Sequence, residues 1–201
     1  MNIKFIAELV ASPLHRASHV TRYSSRPVTH PENIAEHAFY VTVYSFLLAN
    51  ELELEGFMVN RTQLLSRALF HDVDECITGD FQRAFKYSTP ELAKAIHDAA
   101  ANEVATLFEP FGHEISCNVY DSWKNAKEGD LVGDIVRTAD LLAVIVYIYR
   151  ELQFGNATIR EIIPECLAYS AETMRIVNPP PLKDIIAAGS TLLSRAGGNN
   201  D

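Results

Sequence analysis

Residues 130–154, DLVGDIVRTADLLAVIVYIYRELQF, decide the fold class. A strongly apolar helical pattern starts at Asp130, runs to Phe154 and meets a stop at Gly155-Asn156, which predicts one long core helix. Its longest nearly apolar run, Leu141 to Tyr149, is about half of what a membrane-spanning helix needs. One residue breaks the pattern. Asp140 lies on a line with Val136, Val144 and Tyr147, where an unpaired carboxylate would be costly unless it met a metal ion or a cation.

Outward from this helix the same period recurs, while period-two alternation and Asn-Gly hairpin signals are lacking, so the chain reads as all-α. Towards the N-terminus, Asn33 and Glu36 have the spacing of a cap reinforced by a carboxylate, opening a helix to about Glu53. Asn60 and Gln63 repeat that signal for a helix ending near His71. A first helix over about Ile3 to Ala11 ends at Ser12-Pro13. The loop from there to Pro31 is long enough to suggest function. Gly79 breaks the chain, Ser88-Thr89-Pro90-Glu91 starts a helix to about Phe108, and Phe111 to Lys127 is ambiguous. Beyond the long helix, another is expected over Thr158 to Ile176, disturbed at Pro164. Pro179-Pro180-Pro181 then separates a last helix, Leu182 to Ser194, from a GGNND tail expected to fray.

The 201 residues suffice for one well-buried core, and 48% apolar with 21% charged residues is the balance of an ordinary globular protein. A single domain over 1–201 is expected, with its motifs between about 22 and 156 and C-terminal helices over 157–195. The N-terminal MNIKFIAELVASP carries one Lys and then Glu8 inside its apolar run, unlike a signal peptide. Cys76, Cys117 and Cys166 form no CxxC pair and fit reduced thiols, so a cytoplasmic location is expected. A net charge of −9 argues against binding a nucleic-acid polymer, and no membrane partner is indicated. An anionic substrate would need a local positive site.

Nucleotide cradles, nucleophile elbows, HExxH and Cys/His zinc spacings are all missing. What remains are metal-binding residue types where apolar helix patterns are interrupted: Glu36-His37, His71-Asp72, Asp74-Glu75, Asp80 and Asp140. His37 shares a face with Ile34, Val41 and Leu48, and alone reads first as a core histidine bonded to a backbone carbonyl. His71-Asp72 ends the run LLSRALF and enters an acidic turn, the context of a site. His97-Asp98, beside Lys94, reads as solvated helix surface. His37, His71, Asp72 and Asp140 give two imidazoles and two carboxylates from three helices. That set suits one divalent transition ion, Mn, Co, Fe, Ni or Zn rather than Mg, with positions left for water and a phosphate oxygen.

The ordered series Arg22-Tyr23, Asn33-Ile-Ala-Glu36-His37, His71-Asp72-Val-Asp-Glu75-Cys-Ile-Thr78-Gly79-Asp80, Arg137-Thr-Ala-Asp140, Glu151 and Gly155-Asn156 resembles the HD-domain phosphohydrolases. More closely it resembles their 5′-deoxyribonucleotidase branch and the related small viral deoxynucleoside triphosphate hydrolases. The resemblance implies an HD-type helical bundle, metal held by His37, His71, Asp72 and Asp140, and Glu75 acting on the attacking water. It implies Arg22 on phosphate, Asp80 on the sugar 3′-hydroxyl, and a homo-oligomer. Tyr23 stands where the branch has a Trp against the sugar, and Phe81-Gln82-Arg83-Ala84 replaces a Pro-containing segment, though Lys86-Tyr87 is kept. Lys86 and Arg137 read either as phosphate-neutralising or as ordinary surface charges.

The leading expectation is hydrolysis of deoxynucleoside 5′-monophosphates to nucleoside and phosphate. Its near rival is a triphosphohydrolase, which needs extra cations; Arg83 beside Lys86 is compatible with that. A noncatalytic nucleotide-binding helical module is the alternative from another class.

Overall fold

The computed structural model describes residues 3–198, and among these the one β feature is an isolated antiparallel bridge between Thr21 and Asn33. The helices are α1 (Ile3–Ala11), α2 (Ile34–Leu54), α3 (Arg61–Phe70), α4 (Glu75–Thr78), α5 (Arg83–Lys86), α6 (Pro90–Leu107), α7 (His113–Lys124), α8 (Leu131–Gln153), α9 (Ile163–Ile176) and α10 (Pro180–Gly197). Short 3-10 turns at Pro13–Ser18, Glu109–Phe111 and Ala157–Ile162 join some of them. The all-α reading therefore holds.

The helix expected from residues 130–154 is α8, and it is the axis of the bundle. Asp130 caps it by accepting from the Gly133 amide at 2.7 Å, and Gly155, at φ +85°, turns the chain away at the other end. Fourteen of its 23 residues are buried, so neighbours must wrap it, and α2, α3, α9 and α10 do. Burying one Leu or Ile stabilises by about 1.5–3 kcal/mol, which makes Ile135, Leu141, Ile145 and Ile148 the centre of the main core. The same helix buries three carboxylates, Asp134, Asp140 and Glu151, each of which needs partners to be tolerated there. Asp134 accepts from the Asn178 backbone and side-chain amides and so ties down the segment between α9 and α10. Glu151 accepts from the amides of Thr29 and His30 and from Asn156 Nδ2. Asp140 alone of the three lines a cavity.

A second apolar cluster, with Val73, Ala100, Val104, Leu107, Phe108, Val119 and Trp123, lies under α4, α6 and α7. The turn between α3 and α4 spans the two clusters, and Trp123 Nε1 donates to the buried Asp74 at 2.9 Å to fasten it. The long N-terminal loop is closed on itself: Arg22 N donates to Glu32 O and Ile34 N to Val20 O, beside the Thr21–Asn33 bridge. Its tip is held by Glu151 and by Asn156 and Thr158, which both donate to Pro27 O.

Three expectations need correction. The ambiguous stretch 111–127 contains α7, which buries Ser116, Val119 and Trp123. Pro164 does not disturb a helix over 158–176; it occupies the first turn of α9, where a missing N–H costs nothing, and Thr158 belongs to the preceding 3-10 turn. The last helix is longer than 182–194, beginning within the Pro run and ending at Gly197; of the GGNND tail, 199–201 lie outside the described residues.

Candidate metal centre

Each member of the proposed ligand set is positioned by a local rule. The Asn33 side chain accepts from Glu36 N at 3.0 Å and Glu36 returns the bond to Asn33 N at 3.1 Å, so α2 begins in a fixed register that turns His37 inward. His71 follows the last residue of α3 and directs Nδ1 at Ala68 O, 2.8 Å away. A carbonyl can only accept, so Nδ1 carries the proton and the Nε2 lone pair faces the interior, the arrangement that orients a ligating histidine. Asp140 accepts from Lys127 Nζ at 2.6 Å and Tyr169 Oη at 3.1 Å, both on Oδ2. Oδ1 is thereby turned to His37.

The donor atoms converge. His37 Nε2 lies 3.3 Å from His71 Nε2, 3.6 Å from Asp72 Oδ2 and 3.1 Å from Asp140 Oδ1, and His71 Nε2 lies 3.0 Å from Asp72 Oδ2. An ion with bonds of about 2.0–2.2 Å spaces neighbouring ligand atoms about 2.8–3.6 Å apart, so the contacts among His37, His71 and Asp72 fit one transition ion, with Asp140 standing beside them against His37. Arg22 Nη1 donates to His37 Nδ1 at 2.7 Å. Ligation through Nε2 needs the proton on Nδ1 instead, and Glu32 Oε1, 3.6 Å from Nδ1 and already bound to Arg22, is the acceptor at hand. Burial would raise the Asp140 carboxyl, but Lys127 and the His37 hydrogen bond outweigh it and hold it below the ordinary range.

Asp72 and Asp140 face a cavity of about 180 Å³ that Arg22, Tyr23, Glu75, Asp80, Lys86 and Lys127 also line. Glu75 is 9% exposed, its Oε2 has no hydrogen-bond partner, and burial together with Asp72, Asp80 and Asp74 pushes its carboxyl well above the usual value. A buried carboxylate oxygen without a donor is costly unless a ligand supplies one, and water is the natural candidate. Tyr23 has φ 56°, a left-handed conformation that strains a residue with an aromatic side chain. Its ring stacks on Tyr147 at 5.3 Å and 5°, and its amide donates to Asp80 Oδ2 at 3.2 Å, so one strained turn couples the two residues that the resemblance would place at the sugar.

A family profile described as 5′-deoxynucleotidase YfbR-like matches residues 10–175. The chain belongs to that family. Among the relatives of YfbR-like type, the 5′-deoxynucleotidase YfbR of Salmonella typhi is 27% identical over 151 residues, covering 73% of this chain and 74% of that protein. A 5′-deoxynucleotidase of Yersinia pestis is 26% identical over 149 residues, covering 71% and 73%. An HD-domain phosphohydrolase from Listeria innocua superposes with a TM-score of 0.74 at 22% identity, covering 96% of this chain and 97% of its own. The HD phosphohydrolase DatZ of cyanophage S-2L, solved with dA and one catalytic Zn²⁺, gives 0.60 at 18%, covering 91% and 95%. At these identities the structures establish the HD-type helical fold.

Within this YfbR-like bundle, one residue expected at the substrate is elsewhere. Arg137 does not line the cavity; its Nη2 donates to the carbonyl of Lys127, because its place one turn before Asp140 sets it behind that residue's loop. Sequence reasoning also missed Lys127, Tyr169 and Glu32. No motif spacing marks them, since they reach the site from a connecting loop, from α9 and from the N-terminal loop. The only hint was a buried aspartate on α8 that required a cation. His97 and Asp98 are exposed as expected, with Asp98 paired to Lys94, though the His97 ring stacks on Trp123.

Proposed function

We propose that this YfbR-like enzyme hydrolyses deoxynucleoside 5′-monophosphates to deoxynucleoside and orthophosphate, using one divalent transition ion held by His37, His71, Asp72 and Asp140. The observation that carries the proposal is the unpartnered Glu75 oxygen in the same cavity as that donor cluster. The names of the relatives supply the substrate class.

Phosphoryl transfer leaves little covalent work for protein groups, so rate comes from positioning and charge stabilisation. The bound ion supplies Lewis acidity towards a phosphoryl oxygen. Glu75 accepts the hydrogen of the attacking water and holds it in line with the phosphorus. The Lys86 ammonium lines the cavity and has no side-chain hydrogen bond or salt bridge among the described residues, although Asp74, Asp72 and Glu75 favour its charge, and so it is available to an anionic phosphate. Arg22, which lines the cavity, is the second cation for phosphate; it stays paired with Glu32, while its contact with His37 would be given up when His37 takes its ligating tautomer. Asp80 has Oδ1 left for the 3′-hydroxyl after Oδ2 accepts from Tyr23. The Tyr23 ring, fixed by Tyr147, is the surface a 2′-hydroxyl would meet.

The names of the relatives favour a monophosphate over a triphosphate; Arg83, the extra cation a longer chain would need, lines the same cavity, and its pair with Glu172 at 2.8 Å is half-exposed, so the product assay decides between the two. Mn, Co, Zn, Fe and Ni all suit the mixed nitrogen and oxygen donor set. A single domain over 1–201, a homo-oligomer and a cytoplasmic location complete the proposal; among the described residues no helix is long and apolar enough to cross a membrane. The test is to separate orthophosphate, pyrophosphate and triphosphate after incubation of the Mn- or Co-loaded protein with each deoxynucleoside mono- and triphosphate. Orthophosphate from monophosphates is expected. Triphosphate release from triphosphates alone would replace the proposed substrate.

A further inference from the structure

Lys127 is the most elaborately placed charge in the molecule that no motif explains. It lies in the connection between α7 and α8, and three independent features fix that connection. The carbonyl of Lys127 accepts from Arg137 Nη2, and its Nζ donates to Asp140 Oδ2 at 2.6 Å. The backbone of Glu128 crosses α8 so closely at Gly133 that a Cβ there would lie 1.7 Å from Glu128 O. Any side chain at 133 would push the loop away, so a glycine is required by the approach itself. The anchor below is equally firm: Arg67 Nη1 donates to both oxygens of Asp130, the residue that caps α8.

What this arrangement delivers to the cavity is an ammonium group. The Lys127 side chain remains 28% exposed on the cavity wall, with Nζ against Asp140. An ammonium has three N–H donors, and one is spent on Asp140. The others adjoin the space beside the donor cluster. The ammonium thus borders the cavity rather than being closed off behind Asp140.

We propose that Lys127 is a further substrate-binding residue: it contacts a nonbridging phosphoryl oxygen next to the metal ligands, while its bond to Asp140 Oδ2 leaves Oδ1 for ligation. Arg137 is then a positioning residue, holding the loop of Lys127 rather than touching phosphate. The inference rests on the phosphomonoester reading of the site.

The test compares wild type with Lys127→Met, Lys127→Gln and Lys127→Arg, measuring Mn²⁺ binding first and then binding of inorganic phosphate to the Mn-loaded proteins, both by isothermal titration. Gln can still donate to Asp140 but carries no charge, which guards against a variant that merely loses its fold. Expected are Mn²⁺ affinity in Met and Gln equal to or above wild type, since a neighbouring cation is gone, and phosphate affinity lower by at least about tenfold, the scale of one charged hydrogen bond. Arg should recover part of the loss. Loss of Mn²⁺ binding in both Met and Gln would show that Lys127 acts only on Asp140 and would overturn the proposal, as would wild-type phosphate affinity in either. Failure of the phosphomonoester reading would show separately, as wild type that binds neither ion nor phosphate.

Discussion

Replacing Glu151 by Gln isolates the anchor that ties the N-terminal loop, part of the cavity wall, to the core. Glu151 is 1% exposed, and Thr29 N at 2.7 Å, His30 N at 2.8 Å and Asn156 Nδ2 at 2.6 Å all donate to it. Asn156 cannot reverse its amide to help, because Nδ2 also donates to Pro27 O and Oδ1 accepts from Thr158 N. A glutamine offers one oxygen and one NH₂ group to three donors, so at least one N–H is left facing another. A charged hydrogen bond contributes about 1.5–3 kcal/mol, and losing one while neutralising the rest gives about 2–4 kcal/mol. At about 2–4 °C per kcal/mol for a chain of this size, the melting temperature at pH 7 should fall by roughly 5–15 °C. Burial opposes the carboxylate, yet Asn156, Thr29 and His30 hold it below the ordinary glutamate range. Its contribution is therefore complete above the unfolded value of about 4.3 and is lost as pH falls through the lower folded value. The gap between wild type and variant should close on acidification below about pH 4. Thermal melts across pH 3.5–7 decide the matter; a variant within 2 °C of wild type at pH 7 would refute the anchor.

His71→Ala should abolish stoichiometric binding of a divalent ion, which elemental analysis of the purified folded protein would show; unchanged metal content would remove His71 from the ligand set. Glu75→Gln should keep metal and substrate binding yet lose at least about a hundredfold in kcat, the usual scale for an acid-base group, whereas near-normal turnover would exclude it from the water. Tyr23→Ala should narrow the preference for deoxyribose by about ten- to a hundredfold, mainly through faster ribonucleotide turnover, and equal kcat/KM for AMP and dAMP in wild type would sink the steric gate.

How much of this was legible in the sequence depends on whether each signal is local. Asn33 with Glu36, Thr89-Pro90 and Gly155 announce helix ends by chemistry within four residues, and those ends stand where expected. Helix α7 announced nothing: it starts after Gly112 at φ +117° without a side-chain cap, and polar residues surround its buried Ser116, Val119 and Trp123. Pro164 was misread because a proline marks a helix start as readily as a break, and only the 3-10 turn before it tells which. At the site, the His-Asp pair and the buried Asp140 were visible as polar interruptions of apolar periods. Lys127, Tyr169 and Glu32 were not, since each answers a charge that folding brings near. Arg137 was misplaced for a related reason: its spacing from Asp140 fixes its helix and turn, but not whether the Lys127 loop comes between it and the cavity.

The central claim is metal-dependent hydrolysis of a deoxynucleoside monophosphate, and release of orthophosphate tests it most directly. The Mn-loaded protein should liberate orthophosphate and deoxynucleoside in equal amounts from at least one deoxynucleoside 5′-monophosphate, lose that activity on chelation and regain it when the ion is restored. Folded, metal-loaded protein that releases no orthophosphate from any of the common deoxynucleoside 5′-monophosphates, or releases it unchanged in the presence of chelator, would contradict the account.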